Sequence, residues 1–360
     1  MVAALARVPR PAGGDAEAAA RAACAAHLAA RRFAVREEPF DYSAFPGLWA
    51  TPLAGAASIG LLGAAGHLGF RGAAGAALGG LVIGGAAVAV AALWLGRVGV
   101  LRCTLLRRRG VNLVAERGEA PIRVWLVAHL DSKSQPVPIG ARAAGIVGSA
   151  AAWAAALGVA TAQLFGAPIA AWWPWIAVAG AVAGVPVLLS VVGARSPGAL
   201  DNASGVAAVL GTVSALPHDT PLGVLLTSAE ELGLAGSRAW SGRRPAAVAI
   251  NFDGIDDAGV LTAMYTGARP APLLATLRGA ATGLGVALRD RRLVPGILVD
   301  AVALADRGWQ TVTLSRGTLA TLARIHRPAD RADRLLGHGV TEAARVAAAA
   351  VTDIHREREG

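Results

Sequence analysis

The sequence predicts a mixed α/β domain, a mainly parallel sheet sandwiched by helices, interrupted by two transmembrane helical hairpins. Three observations predict it. Apolar runs with β-branched content at 122–128, 222–228 and 246–252 read as strands, and 204–216 reads as a helix. Each strand ends in residues that carry chemistry: His129 and Asp131, then Glu230 and Glu231, then Asp253. Finally, two long intervals, from Asp41 to Arg97 and from Arg142 to Arg195, are almost free of charge, with Arg71 the single arginine inside the first.

Ligands of open α/β sheets gather outside the carboxyl ends of the strands, so acidic residues collected there are placed to hold a cation. Asp201, just ahead of the 204–216 helix, joins the set, as does His326 in the segment RIHRPAD. With a strand period of two, His129 and Asp131 share a face. His129 can then offer one ring nitrogen to a divalent metal while Asp131 takes the other ring N–H and fixes the tautomer. Singly, each residue has a plainer reading: Asp-Asn before a helix is an N-cap, a glutamate pair at a strand end is solvated, a histidine among arginines is ordinary surface. Their joint occurrence, in order and at strand ends, points to a metal site.

Five motifs carry a resemblance: HLDS at 129–132, DNASG at 201–205, SAEELGLAGS at 228–237, NFDG at 251–254 and IHRPAD at 325–330. In these the chain resembles the co-catalytic zinc aminopeptidases, metallopeptidase family twenty-eight, whose relatives include glutamate carboxypeptidase and glutaminyl cyclase. The resemblance implies a zinc-exopeptidase fold holding two zinc ions, with His129 and Asp253 on one, Glu231 and His326 on the other, and Asp201 bridging both. Glu230 is then the general base acting on a metal-bridging water, and Asp131 the second catalytic residue, beside His129. The resemblance covers 15–43 and 111–356 without the second uncharged interval. It departs at 299–301, where Val-Asp-Ala stands in place of a segment with a histidine after the aspartate, here Asp300.

That division of labour suits peptide hydrolysis. Zinc lowers the pKa of a bound water to about 7, and a second metal stabilises the developing oxyanion. A carboxylate outside the metal shell must move the proton to the leaving amine, and adjacent glutamates let Glu231 ligate while Glu230 faces the peptide substrate. The implied activity is that of an aminopeptidase. A single-metal acyltransferase like glutaminyl cyclase would not need all five ligands. A non-catalytic receptor-like relative would be expected to have lost Glu230 or a ligand, and a transporter would need polar residues inside its spans.

With 54% hydrophobic residues and a mean hydropathy of +0.51, the 360-residue chain is too apolar for an ordinary soluble enzyme. About 20 apolar residues cross a hydrocarbon core of about 30 Å. Segments 48–70 and 73–95 form the first predicted hairpin, where Gly75-x-x-x-Gly79 and Gly80-x-x-x-Gly84 permit close helix approach. Segments 143–165 and 170–192 form the second, with Trp172, Trp173 and Trp175 as an interfacial belt and Pro174 and Pro186 tolerable in membrane helices. The expected organisation is a flexible N-terminus (1–14), a first catalytic part (15–47), hairpin one (48–97), a catalytic part (98–139), hairpin two (140–194) and the remaining catalytic domain (195–360). The second hairpin joins two metal-binding loops, so a site on a membrane-spanning chain would face the bilayer surface.

Within that frame, 15–32 reads as an alanine-rich helix followed by an extended stretch, 111–115 and 122–128 as a hairpin, 273–284 as a helix, 286–288 as a short strand and 341–356 as an amphipathic helix. The first residues lack an apolar core of signal-peptide length. Arg31, Arg32 and Arg36 precede the first span, Arg97, Arg102 and Arg107 to Arg109 follow the second, Lys133 and Arg142 precede the third, and Arg195 follows the fourth. By the positive-inside bias this integral, multi-pass protein keeps its catalytic domain on the cytoplasmic side. Juxtamembrane cations also account for the net charge of +10, and with no nucleic-acid-binding motif beside them, nucleic acid is not an expected partner. Two cysteines, Cys24 and Cys103, make no disulfide framework.

Overall fold

The computed structural model describes residues 1–119 and 121–356; positions 120 and 357–360, the last part of the segment assigned to the catalytic domain, lie outside them. The chain opens with α1 (Val2–Leu5), α2 (Asp15–Ala29) and β1 (Ala34–Ser43), then α3 (Thr51–Phe70), α4 (Ala74–Trp94) and α5 (Val100–Arg102). β2 (Arg107–Arg117) and β3 (Val124–His129) lead into α6 (Ile139–Leu164) and α7 (Trp173–Leu188). Then come α8 (Ser204–Ala215), β4 (Leu222–Thr227), α9 (Ala235–Ser241), β5 (Val248–Ile255), β6 (Val260–Tyr265) and α10 (Ala271–Gly283). β7 (Leu288–Arg292), α11 (Asp300–Ala305), β8 (Gln310–Gly317), α12 (Leu319–Arg324) and α13 (His338–Arg356) complete it. Two compact units result: Met1–Tyr42, Arg107–Ser134 and Ala194–Gly360 make one, Ser43–Leu106 and Gln135–Gly193 the other.

The first unit is built on an eight-stranded sheet in the order β1-β2-β4-β3-β5-β8-β6-β7. Its centre, β4-β3-β5-β8, is parallel, whereas β2 runs antiparallel to β4 and β6 antiparallel to β8. The expected hairpin of β2 with β3 does not form, because β4 lies between them, with Leu226 opposite Leu113 on one side and Ala128 on the other. Every residue of β4 is buried, so this strand belongs at the centre of a sheet covered on both faces. Alternation along β3 shows the two layers: Val124, Leu126 and Ala128 enter a core with Cys24, Val209, Leu277 and Val346, while Trp125 and Val127 enter another with Trp240, Leu304 and Trp309.

Residues 1–14, expected as a flexible lead-in, are packed down. Leu5 and Ala6 join the larger core, and the Arg10 guanidinium donates to the carbonyls of Leu5, Leu130, Pro197 and Gly198 at 2.7–3.0 Å. A charge with four carbonyl acceptors is satisfied in the interior.

The second unit holds four helices long and apolar enough to cross a membrane: Pro46–Phe70, Ala74–Arg102, Ile139–Leu164 and Ala170–Leu188. Their inner surface is small, with Leu62, Ala65, Ala77, Leu81, Ala156 and Trp173 at its centre, and their outer surface is apolar, with Ile83 73% and Val147 69% exposed. The last helix stops at Leu188, and the Ser190 hydroxyl donates at 2.7 Å to the Pro186 carbonyl, one of those the helix end leaves without a backbone partner. Close helix approach occurs between α3 and α7, where a Cβ on Gly55 would sit 2.8 Å from Leu188 Cα. Of the spacings singled out in α4, Gly79 and Gly80 face open space, whereas a Cβ on Gly84 would sit 2.7 Å from the Leu61 side chain of α3. Trp172 and Trp175 are exposed as an interfacial belt requires, but Trp173 is buried and donates its indole N–H to Gln163 Oε1 at 2.6 Å.

Candidate metal centre

The parallel strands β3, β4, β5 and β8 deliver their carboxyl ends to one side of the sheet, and the candidate ligands converge there. His129 is the last residue of β3, Glu230 and Glu231 follow β4, and Asp253 sits in β5 where the register with β8 shifts between Phe252 and Ile255. Asp201 lies just ahead of α8, joined to Asn202 by a cis peptide bond, and His326 follows α12.

Asp201 is central. Its Oδ1 lies 3.0 Å from His129 Nε2 and its Oδ2 2.9 Å from His326 Nε2. Around it stand two groups of donor atoms, His129 with Glu230 and Asp253, and Asp201 with Glu231 and His326, the atoms of each within 4.8 Å of one another. Asp253 Oδ1 and Glu230 Oε2 are each 3.9 Å from His129 Nε2, and Glu231 Oε1 is 3.3 Å from His326 Nε2. All six predicted residues of the set are therefore brought together.

Asp131 does something other than predicted. His129 Nδ1 faces the Asp131 backbone carbonyl at 3.0 Å, with the carboxylate farther off at 3.7 Å. That carboxylate instead accepts the backbone N–H of Glu230 and of Glu231. Two oxygens satisfy two adjacent amides, and the turn these close places Ala229 in the left-handed region, φ +56°, where its small side chain keeps the strain low.

Three further residues escaped the sequence reading. Asp330 accepts the backbone N–H groups of Leu200 and Asp201, fixing the loop that carries the central carboxylate; its place in IHRPAD, four residues past His326, was the available signal. Asn202 donates to the Phe252 carbonyl and accepts from Gly205 N–H, tying that loop to β5. Lys133 Nζ lies 2.6 Å from Glu231 Oε2. The period of two through His129 and Asp131 reaches Lys133, which the sequence also offers as a membrane-flanking charge and which here pairs with Glu231. Asp300 is buried and accepts the Thr227 hydroxyl at 2.6 Å, outside both donor groups.

The electrostatics call for cations. Burial pushes the Glu230 carboxyl well above its ordinary range, and the charges of Glu231, Asp253 and Asp300 add to this against His129. Burial likewise takes Asp253 to about 6 and Asp131 to about 8. Against the same push, ion pairs with His129 and His326 hold Asp201 well below the carboxylate range, and Lys133 brings Glu231 to about 2. His129 Nε2 and Glu231 Oε1 are buried without an aligned hydrogen-bond partner, although other ligand atoms face them. Two imidazoles and four carboxylates with unsatisfied atoms turned inward form a donor set that fits zinc-type divalent ions.

Solved structures share this fold. A zinc aminopeptidase from Bacillus subtilis matches at 15% identity and a TM-score of 0.56, over 96% of this chain and 91% of that one. An aminopeptidase from Aneurinibacillus sp. strain AM-1 matches at 16% and 0.55, over 98% and 92%. A glutaminyl cyclase from Porphyromonas gingivalis matches at 14% and 0.57, over 98% and 95%. No curated protein matches the sequence. The family model of peptidase family M28 matches residues 184–351, which include Asp201, Glu230, Glu231, Asp253 and His326. Over that segment the chain is similar to peptidase family M28.

Proposed function

We propose that the chain is a membrane-anchored di-zinc exopeptidase of the aminopeptidase type. The observation that carries this reading is the Asp201 carboxylate, which faces His129 through one oxygen and His326 through the other, with a donor group on either side. His129 and Asp253 would hold one zinc, Glu231 and His326 the second, and Asp201 both. Bound zinc supplies an acidified water and polarises the scissile carbonyl.

The chain's own residues do the rest. Glu230, which faces His129 from 3.9 Å, accepts the proton of the attacking water and returns it to the leaving amine. Asp131 holds the Glu230 and Glu231 amides, so that the base and its neighbouring ligand are fixed as one rigid turn. The apolar outer surface of the four helices supports a bilayer anchor, since uncovered faces of that kind are costly in water. The test is hydrolysis by protein purified in detergent, on a panel of aminoacyl and carboxyl-terminal reporter peptides. Aminoacyl substrates should be cleaved, chelator should stop cleavage, and zinc should restore it; failure on every peptide would end the peptidase reading.

The likeness to a glutaminyl cyclase favours one second reading, acyl transfer within an N-terminal glutaminyl substrate. Ammonia release with a cyclised product, and no cleaved peptide, would identify it.

A further inference from the structure

Lys133 is placed directly against a candidate zinc ligand, Glu231. Its Nζ occupies Glu231 Oε2 at 2.6 Å, and the pair is largely buried, with 17% of the lysine side chain and 4% of the glutamate exposed. The other oxygen, Oε1, is buried, has no aligned hydrogen-bond partner, and faces His326 Nε2 at 3.3 Å within the Asp201–Glu231–His326 group. Glu231 can therefore offer a metal one oxygen while the ammonium keeps the other. In the neighbouring group, Asp253 and Glu230 face His129.

We infer that Lys133 grades the two metal positions, making the ion held by Asp201, Glu231 and His326 weaker and more exchangeable than the one held by His129 and Asp253. The inference rests on the two-zinc reading. A divalent ion on Oε1 and an ammonium on Oε2 share one carboxylate and repel each other where little water intervenes to screen them. The same ammonium keeps the Glu231 carboxylate paired whenever the second ion leaves, so the apo arrangement carries no buried unpaired charge there. Lys133 is thus a positioning residue whose charge sets occupancy, acting through Glu231 and not on substrate.

Zinc per chain, measured by elemental analysis across a chelator titration of the full-length protein in detergent, tests this without any activity assay. Wild type should release zinc in two steps. Lys133→Met, which keeps the apolar stem and removes the charge, should move the weaker step toward the stronger by roughly tenfold or more. Lys133→Arg should leave two steps, and Lys133→Gln serves in place of the methionine variant if that one does not fold. Earlier loss of the second ion in Lys133→Met, or unshifted steps with two ions in both proteins, overturns the inference while leaving the two-zinc reading intact. One ion in wild type and two in Lys133→Met supports it; one ion in both at saturating zinc removes the two-zinc reading and the inference together.

Discussion

Asp131 Oδ1 accepts the backbone N–H of Glu230 at 3.1 Å, and Oδ2 accepts that of Glu231 at the same distance. The carboxylate therefore holds the turn that carries the proposed base and lies farther, at 3.7 Å, from the histidine ring two residues before it. Asp131→Asn replaces one acceptor by an NH2 group that points at an N–H. A buried unsatisfied donor costs about 1–3 kcal/mol, and the displaced turn should lower kcat with it. Thermal unfolding and turnover measured together check this. Unchanged values for both would remove Asp131 from the machinery.

Asp257 offers a pH-dependent stability prediction away from the metal centre. Its carboxylate accepts the backbone N–H groups of Leu336, Gly337 and Gly339 at the start of α13, which packs Ala343, Val346, Ala347 and Val351 into the core. Burial pushes this carboxyl up, but those amides outweigh it, so the folded-state pKa lies below the ordinary value of 3.8. A depressed acid contributes stability above its unfolded pKa, and the contribution fades as pH falls through the folded value. Asp257→Ala should cost about 1 kcal/mol at pH 7, as cap removals do. The difference from wild type in urea unfolding should shrink as pH drops below about 4. A gap that grows on acidification would contradict the sign.

The ligand set was legible because its chemistry is local. Five of the candidates end a predicted strand or precede a predicted helix, and the hydrophobic period marks those ends without knowledge of pairing, so His129, Asp201, Glu230, Glu231 and Asp253 are legible before any contact is known, whereas His326, which follows α12, is marked only by its motif. Long-range choices were hidden. Nothing in 107–117 or 124–129 says that β4 will separate them, since a buried strand and a hairpin partner share one apolar pattern. Lys133 and Trp173 failed for a similar reason. A lysine near an uncharged stretch and a tryptophan near a turn look like membrane furniture until Glu231 and Gln163 arrive from 98 residues downstream and 10 upstream. Arg10 was hidden by the proline- and glycine-rich sequence around it, which reads as a loose end although its guanidinium ties two ligand loops together.

The membrane reading is tested by topology. The turn of the second hairpin carries Gly166, and the charged flanks Arg97, Arg102, Arg142 and Arg195 favour the opposite side, even with Lys133 taken out of the count. Reporter fusions at Gly166 and at the C-terminus should report opposite sides, the C-terminus cytoplasmic. Both on one side would mean that the second hairpin does not span. Opposite sides with the C-terminus outside would relocate the site without changing its chemistry.

Glu230 and Glu231 are neighbours with the same functional group, and the proposal gives them separable roles. Glu231 reaches Lys133 and His326 and belongs to the donor group with Asp201, whereas Glu230 faces His129 from 3.9 Å and has its pKa raised. Losing a general base typically costs a factor of roughly 100 to 10,000, so Glu230→Gln should lose most turnover while keeping zinc content and melting temperature near wild type. Glu231→Gln should lose the second ion, and stability with it, because the binding energy of a ligated metal is coupled to the fold. It also strands Lys133 beside a neutral amide, which adds to the destabilisation. Turnover, zinc content and melting temperature on both variants decide the matter: zinc loss in Glu230→Gln with retention in Glu231→Gln would exchange the two roles, a result for which the grouping of Glu230 with His129 and Asp253 leaves geometric room.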